Sequence, residues 1–461
     1  MNKEVNNLKK GDIIEVKIDD LAYGGDRVGH YNGIAVFINR GVVGEVVKAK
    51  IYNFKKNFLR AEFLDVIDDS SKRVEPPCDI YEECGGCQLQ EIDYEYQLEL
   101  KNKIIKDQLN KIGELDDIIL NKVIGMDYPW HYRNKAQFPL KENEDEEILA
   151  GFFKRRTHTI VPLDDCPIQH QLINRITTKT LKLLNKNDDL TVYDENKHQG
   201  ILRHLIVRVG VCTNQAILAF VTNSEINSDL KEISKTLIND IPELVGVMQN
   251  INQKKTNVIM GKETKVLSGK NRYRDYIGNK KFDISLESFF QTNTMQTNKL
   301  YNTALEFADL NGDETLIDCY CGTGSIGLYF SEDVKKVIGI DINKSAVNDA
   351  KHNKKLNNIK NAEFISGDVK ENIAEIISKH SNDNNVLLFD PPRKGLDPEV
   401  INEILKSKPE KIIYISCNPS TLARDLKKLK KNYMINNLRG IDMFPQTYHI
   451  ETISILTKKQ F

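Results

Sequence analysis

The sequence predicts a multidomain α/β protein: a small N-terminal β-barrel, a β-rich middle built around a cysteine loop, and a C-terminal doubly wound α/β unit. Three observations predict it. Residues 1–67 alternate Val and Ile with polar residues between glycine-marked turns. Three cysteines crowd between positions 78 and 87. From about residue 284 strand and helix patterns alternate, the signature of a parallel sheet. A chain of 461 residues has room for several domains at roughly 100–200 residues each. Its 40% hydrophobic content excludes a collagenous or wholly disordered chain. With 65 Lys and Arg against 66 Asp and Glu, a uniformly basic nucleic-acid protein is disfavoured, but local basic patches are not. No apolar run approaches the roughly 18 residues that span a bilayer, and the start has no apolar signal core. A cytoplasmic protein with no membrane partner and no obligate protein partner is expected.

The first unit, 1–67, reads as five short strands, with Ile13-Ile14-Glu15-Val16-Lys17-Ile18 and Ile34-Ala35-Val36-Phe37-Ile38 the clearest and glycines at 24, 25, 29, 33, 41 and 44 between them. This is the pattern of an OB-like barrel. Between Lys48 and Arg60 the cations Lys48, Lys50, Lys55, Lys56 and Arg60 interleave with Tyr52, Phe54 and Phe58 without an acid. Cations for phosphate beside aromatic faces for bases suit an RNA-binding face. A solvated strand with core aromatics fits the same residues.

The second unit, 68–282, opens with a polar linker ending in Pro76-Pro77. An amphipathic helix is expected from Tyr94 to about Ile112, with Leu98, Ile104, Ile105 and Leu109 among its apolar positions, and the segment 93–120 is expected to pack on the C-terminal unit. Strands dominate from about 121 to 282, Leu202 to Val209 being the clearest, and the acidic run from Glu142 to Glu147 reads as a solvated loop. Cys78, Cys84 and Cys87 form Cys-x5-Cys-Gly-Gly-Cys, and Cys166 follows in Asp-Asp-Cys-Pro-Ile. Four thiolates suit zinc or an iron–sulfur cluster. Zinc usually takes two close pairs, whereas three clustered cysteines and one remote one are commoner around [4Fe–4S].

The third unit, 283–461, carries the candidate chemistry. The strand Glu314 to Cys319 runs through Tyr320 into Cys321-Gly322-Thr323-Gly324-Ser325-Ile326-Gly327, where glycines allow a tight turn and close approach to a ligand. The next strand ends in Asp341, an acid placed to accept hydrogen bonds from ribose hydroxyls. Two apolar strands then deliver Asp390-Pro391-Pro392-Arg393 and Ser416-Cys417-Asn418-Pro419 to the carboxyl edge of the sheet. A nicotinamide-dependent oxidoreductase has no evident need for that pair. The helix after Cys417 is expected to aim backbone N–H groups at the thiol and favour thiolate. Cys212 and Cys319 are expected to be packing residues, and Cys321 sits in the glycine loop.

Together these motifs resemble the RumA-type 23S ribosomal RNA (uracil-5-)-methyltransferases, over essentially the whole chain. The resemblance rests on Cys78-x5-Cys84-x2-Cys87 with Cys166, Phe289-Phe290-Gln291-Thr292-Asn293, Asp318-x-Tyr320-Cys321-Gly322-Thr323-Gly324, Asp390-Pro391-Pro392-Arg393, Ser416-Cys417-Asn418-Pro419 and His449-x-Glu451. It implies an N-terminal TRAM barrel and a Rossmann-like class I methyltransferase domain. It further implies a [4Fe–4S] cluster on the four cysteines, and S-adenosyl-L-methionine bound by Gln291, Tyr320, Asp341 and Asp390. Cys417 matches the family's nucleophile and Glu451 its general base. Tyr320 and Asp341 stand where some relatives carry Phe and Glu, both gentle changes. The implied reaction is methylation of uracil carbon-5 in ribosomal RNA, with transfer RNA as the alternative substrate; a catalytically silent, metal-containing RNA-binding protein is the different-class alternative. Lys154-Arg155-Arg156 with His158, and Arg133 with Lys135, are further candidate RNA contacts, against simple surface solvation.

Overall fold

The computed structural model describes residues 8–225, 227–380 and 384–460. Strands β1 (Ile13–Leu21), β2 (Arg27–Tyr31), β3 (Ile34–Ile38), β4 (Val46–Phe54) and β5 (Phe58–Asp68) close into a barrel in the order β1-β2-β3-β5-β4. Closure removes the unpaired edges of an open sheet. Alternation does the rest: Ile14, Val16, Ile18, Val47, Ala49 and Ile51 point inward and are buried, while Lys48, Lys50, Tyr52 and Phe54 on β4 face out and are exposed.

After the cysteine loop come α1 (Tyr94–Gln108), which Asp93 caps by accepting from Tyr96 N, and β6 (Leu120–Ile124). The middle of the chain supplies β7 (Lys135–Glu142), β8 (Ile148–Phe153), β9 (Ile160–Pro162), α2 (Gln171–Leu184), β10 (Leu202–Val209), β11 (Ala216–Thr222), α3 (Ser228–Asp240), β12 (Leu244–Ile251) and β13 (Glu263–Gly269). These strands form one seven-stranded sheet, β13-β12-β11-β10-β7-β8-β9. Helices α2 and α3 bury Ile173, Ile176, Leu230 and Leu237 against one face of it. Ile206, Ile217, Ala219, Val221 and Met248 on the same strands join a second core shared with the C-terminal unit. A separate hairpin, β14 (Arg272–Ile277) with β15 (Lys280–Ser285), lies between the two.

The C-terminal unit runs α4 (Thr294–Ala308), β16 (Glu314–Cys319), α5 (Ser325–Tyr329), β17 (Lys336–Asp341), α6 (Lys344–Leu356), β18 (Ala362–Ser366), α7 (Val369–Lys379), β19 (Asn384–Phe389), α8 (Pro398–Ser407), β20 (Lys411–Ser416), α9 (Pro419–Leu429), β21 (Tyr433–Ile441) and β22 (Glu451–Lys458). Its sheet has the order β18-β17-β16-β19-β20-β22-β21-β6. Seven of the eight strands run in one direction, β22 returns antiparallel between β20 and β21, and the order reverses between β16 and β19. The carboxyl ends at such a reversal form the crevice where open α/β sheets bind ligands.

One strand differs from the sequence reading. Leu120 to Ile124, assigned to the middle unit, pairs parallel with β21 and becomes the edge of the C-terminal sheet. It follows α1, whose Ile105, together with Leu109 just beyond it, packs in the core of that same sheet. Five weakly apolar residues carry too little pattern to reveal which sheet they join.

Candidate active site and cysteine cavity

The glycine loop is a strained turn held by an acid. Tyr320 has φ 67°, left-handed backbone that costs a non-glycine residue on the order of 1 kcal/mol or more. Gly324 at φ 75° is the residue the turn demands, because a Cβ there would lie 2.8 Å from the Phe364 ring. Asp341 Oδ2 accepts from Gly322 N at 2.9 Å and its Oδ1 from Asn343 N at 2.7 Å, so the acid at the end of β17 fixes the loop beside it. Ile342 next to it is 71% exposed, an apolar face turned to the crevice edge. Sequence reasoning passed over Asp318, which is fully enclosed; its Oδ2 accepts from Gly327 N at 3.0 Å. Burial raises its carboxyl to about 8. Its signal was present as the first residue of Asp-x-Tyr-Cys-Gly, but an aspartate in a strand has no recognisable role until its burial is seen.

The fold draws the other candidates to the same edge. The segment between β15 and α4 carries Gln291, whose Nε2 donates to Asp390 Oδ2 at 3.3 Å. It is anchored from the middle sheet by Asn134, which donates to Gln291 O at 2.9 Å. Ser416 lies opposite Thr452 in the β20–β22 pairing, which sets Cys417 and Glu451 at neighbouring strand ends. Asn418 caps α9 by accepting from Ser420 N and donates Nδ2 to Arg393 O at 2.9 Å, which ties the cysteine turn to the diproline turn. Glu451 is buried, and its Oε2 has no hydrogen-bond partner among the described residues. Such an oxygen is costly to leave unpaired and is available to a bound molecule.

The electrostatics of this cluster overturn one expectation. Burial, then the nearby Glu451 and Asp390 carboxyls, push the Cys417 thiol up to about 12, with Arg393 opposing them. The expected helix effect is weak for two local reasons: α9 starts with Pro419, which has no N–H, and Asn418 occupies the next donor. Asp390 keeps some surface open to the cleft, yet burial raises it to about 7. Burial and Asp390 raise Glu451 well above the usual carboxyl range. Burial and Arg393 lower His449 to about 3, so that ring is neutral. The cleft thus resists negative charge, and a cation entering it would favour thiolate and carboxylate together.

Cys78, Cys84, Cys87 and Cys166 line one cavity of about 50 Å³. None of the four is in a disulfide among the described residues, and burial pushes their thiols up, Cys87 to about 12. Gln90 Oε1, Gln169 Oε1 and Arg133 Nε, from residues of the same wall, are buried without hydrogen-bond partners among the described residues. Among those residues there is no group of three or more His, Cys, Asp and Glu side chains that could hold a metal ion, so the expected metal site on these four cysteines is not supported. The cysteine loop itself is held from outside: Cys84 bridges to Lys154, and Gly85 N donates to Phe153 O at 3.0 Å.

Several other assignments change. Arg155 and Arg156 both pair with Asp26 of the barrel, and Arg156 also donates to Tyr52, so these cations fasten the barrel to the middle sheet. Lys154 and His158 stay exposed, Arg133 belongs to the cysteine cavity, and burial lowers Lys135 to about 8. Cys319 is buried as expected, whereas Cys212 is exposed and is not a packing residue. Among the described residues no helix is long and apolar enough to cross a membrane.

Comparison with known proteins fits this layout. Residues 93–459 match the family described as tRNA (uracil-5-)-methyltransferase, and residues 7–64 match the TRAM domain. A protein of Halalkalibacterium halodurans named as an RNA methyltransferase is 41% identical over 460 residues, covering 100% of both chains. One from Clostridium tetani with the same kind of name is 41% identical, covering 99% of this chain and 98% of its own. Among solved structures, the Pyrococcus abyssi tRNA (uracil-54, C5)-methyltransferase in complex with S-adenosyl-L-homocysteine is similar with a TM-score of 0.77 and 27% identity, covering 96% of this chain and 99% of that one.

Proposed function

This chain belongs to the tRNA (uracil-5-)-methyltransferase family and is an S-adenosylmethionine-dependent RNA methyltransferase; from that premise we propose that it methylates carbon-5 of a uridine in ribosomal RNA. The observation that carries the proposal is the pairing of a thiol, Cys417, with a buried carboxyl, Glu451, whose Oε2 has no hydrogen-bond partner among the described residues, at adjacent strand ends beside the glycine-loop crevice. Carbon-5 of uracil is a poor nucleophile. Addition of Cys417 Sγ to carbon-6 forms an S–C bond, sends the thiol proton to solvent, and moves electron density onto carbon-5. Bound S-adenosylmethionine would supply an electrophilic methyl group, which carbon-5 takes up as the methyl–sulfonium bond breaks and S-adenosylhomocysteine leaves. Glu451 then removes the carbon-5 proton, and the returning electrons expel Cys417 as thiolate. Gln291, Tyr320, Asp341 and Asp390 would hold the cofactor in this reading, with Asp341 as the acceptor for ribose hydroxyls.

The uracil must leave its stack to reach the thiol, at a cost of a few kcal/mol. The exposed Lys48, Lys50, Tyr52 and Phe54 on β4 offset part of it by holding the flanking RNA. Cys78, Cys84, Cys87 and Cys166 would hold a [4Fe–4S] cluster, whose four thiolates need wider spacing than a single ion tolerates. The orphaned Arg133 Nε in the cavity wall suits an anionic group there. Methyl transfer requires no change in iron oxidation state, so the cluster serves as a staple for the loop. Transfer RNA is the second reading, favoured by the solved relative's named substrate. Methyl-labelled S-adenosylmethionine incubated with ribosomal and transfer RNA transcripts separates the two. Label in 5-methyluridine of ribosomal RNA supports the proposal, and label confined to transfer RNA overturns its substrate.

A further inference from the structure

The barrel side chain Tyr23 reaches the segment that leads into Glu451. Tyr23 sits in the turn between β1 and β2, where Gly24 at φ 113° and Gly25 at φ 82° allow the chain to double back. The turn is pinned on several sides. Arg155 donates to Gly24 O at 3.0 Å and Arg27 to Gly25 O at 2.7 Å. A Cβ at Gly25 would lie 3.0 Å from Tyr448 Cδ1 and 3.2 Å from Gln88 Cγ, so the turn is seated against the catalytic unit and the cysteine loop at once. The Tyr23 ring stands edge-on to Tyr448, with centroids 5.8 Å apart at 88°. Tyr448 in turn lies 4.1 Å from the His449 ring, and His449 5.8 Å from Phe444. His449 contacts Arg393 at 3.4 Å, two residues before Glu451. Burial, then Tyr448, raises the Tyr23 hydroxyl to about 12, with Cys417, Arg393 and Glu451 near enough to contribute.

We propose that Tyr23 is a substrate-contacting residue: with Tyr448 and His449 it forms an aromatic wall on which a nucleobase of the RNA stacks as the target uracil meets Cys417. The inference rests on the uridine-5 reading of the cleft and extends it, because the base pocket becomes a joint product of barrel and catalytic unit. Aromatic faces accept any base, and Arg393 beside His449 places a cation within reach of the RNA at the wall's edge. The alternative is that Tyr23 only packs, since it also touches the apolar cluster of Leu21, Val42, Leu89 and Ile92. Leucine would serve that purpose and would not stack.

The test compares Tyr23→Phe and Tyr23→Leu in the full chain on RNA carrying 5-fluorouridine at the target. Once Cys417 has added and the methyl has been taken up, carbon-5 holds fluorine and methyl, no proton remains to be removed, and the thioether persists through denaturation. Tyr23→Leu is expected to slow adduct formation and raise the KM for RNA by about tenfold or more, with unchanged melting temperature and S-adenosylmethionine affinity; Tyr23→Phe stays within about twofold of wild type. Adduct formation by Tyr23→Leu at the wild-type rate, or a loss matched by a fall in melting temperature and cofactor affinity, overturns the inference. If wild type forms no adduct at all, the uridine-5 reading itself fails, and this inference with it.

Discussion

At the scale of single residues, the chemistry is decided by enclosure more than by residue type. A thiol raised from 9.0 to about 12 is roughly a thousandfold less ionised at neutral pH than an ordinary one. Alkylation of Cys417 by iodoacetamide, followed by peptide mass spectrometry, is therefore expected to be slow near pH 7. It should accelerate when S-adenosylmethionine is bound and much less with S-adenosylhomocysteine, which fills the same site without the sulfonium charge. Equal rates with both would remove the electrostatic explanation. Asp318 offers a stability test. Its carboxyl is raised from 3.8 to about 8, so the stability that goes with the protonated form is fully present below about pH 4 and is lost as pH rises through about 8. Asp318→Asn keeps an acceptor for Gly327 N and cannot ionise. In melting curves without cofactor, the variant should gain on wild type from pH 5 to about pH 8 and level off above it; a constant difference would show that Asp318 does not titrate in that range.

Among elements, α1 and the segment before β22 form the joint that holds β22, the strand that carries Glu451. Lys101 of α1 donates to Asp442 at 2.6 Å with both side chains fully buried, and Tyr94 donates to the same carboxylate at 3.0 Å. Gln97 donates to Gln446 Oε1, while Gln88 N and Leu89 N of the cysteine loop both donate to Gln446 O at 3.0 Å. Breaking such a buried pair leaves an uncompensated charge. Lys101→Met should cost about 3–5 kcal/mol in urea unfolding, and the double change Lys101→Met with Asp442→Leu should recover much of it. A loss below about 1 kcal/mol for the single change would mean that water or Tyr94 compensates Asp442. This joint also marks where sequence reading stopped. The β1 and β3 alternation, the apolar strands before Asp390 and Cys417, and the four spaced cysteines were all legible, because each is a local pattern with a local cause. The edge strand Leu120–Ile124, the buried Lys101, the Asp26 pairs of Arg155 and Arg156, and the reach of Tyr23 were not. Each depends on a partner distant in sequence, as the separation of Lys101 from Asp442 illustrates, and no local period encodes it.

For the whole molecule, the barrel, the cysteine loop and the catalytic sheet meet around one cleft, and near-neutral net charge is the average of basic faces and acidic loops. If the cysteine cavity holds an iron–sulfur cluster, anaerobically purified protein should carry iron and acid-labile sulfide, and Cys84→Ser should lose both and become less stable to heat. Stoichiometric zinc without sulfide would replace the cluster with a different staple. The central claim is that Cys417 attacks uracil and Glu451 ends the reaction. It is tested most directly by incubating Glu451→Gln with S-adenosylmethionine and substrate RNA, then mapping the denatured product by mass spectrometry. The expected result is a methylated uridine bound covalently to Cys417, absent in the Glu451→Gln, Cys417→Ala double variant. Release of 5-methyluridine at the wild-type rate by either Cys417→Ala or Glu451→Gln would contradict it.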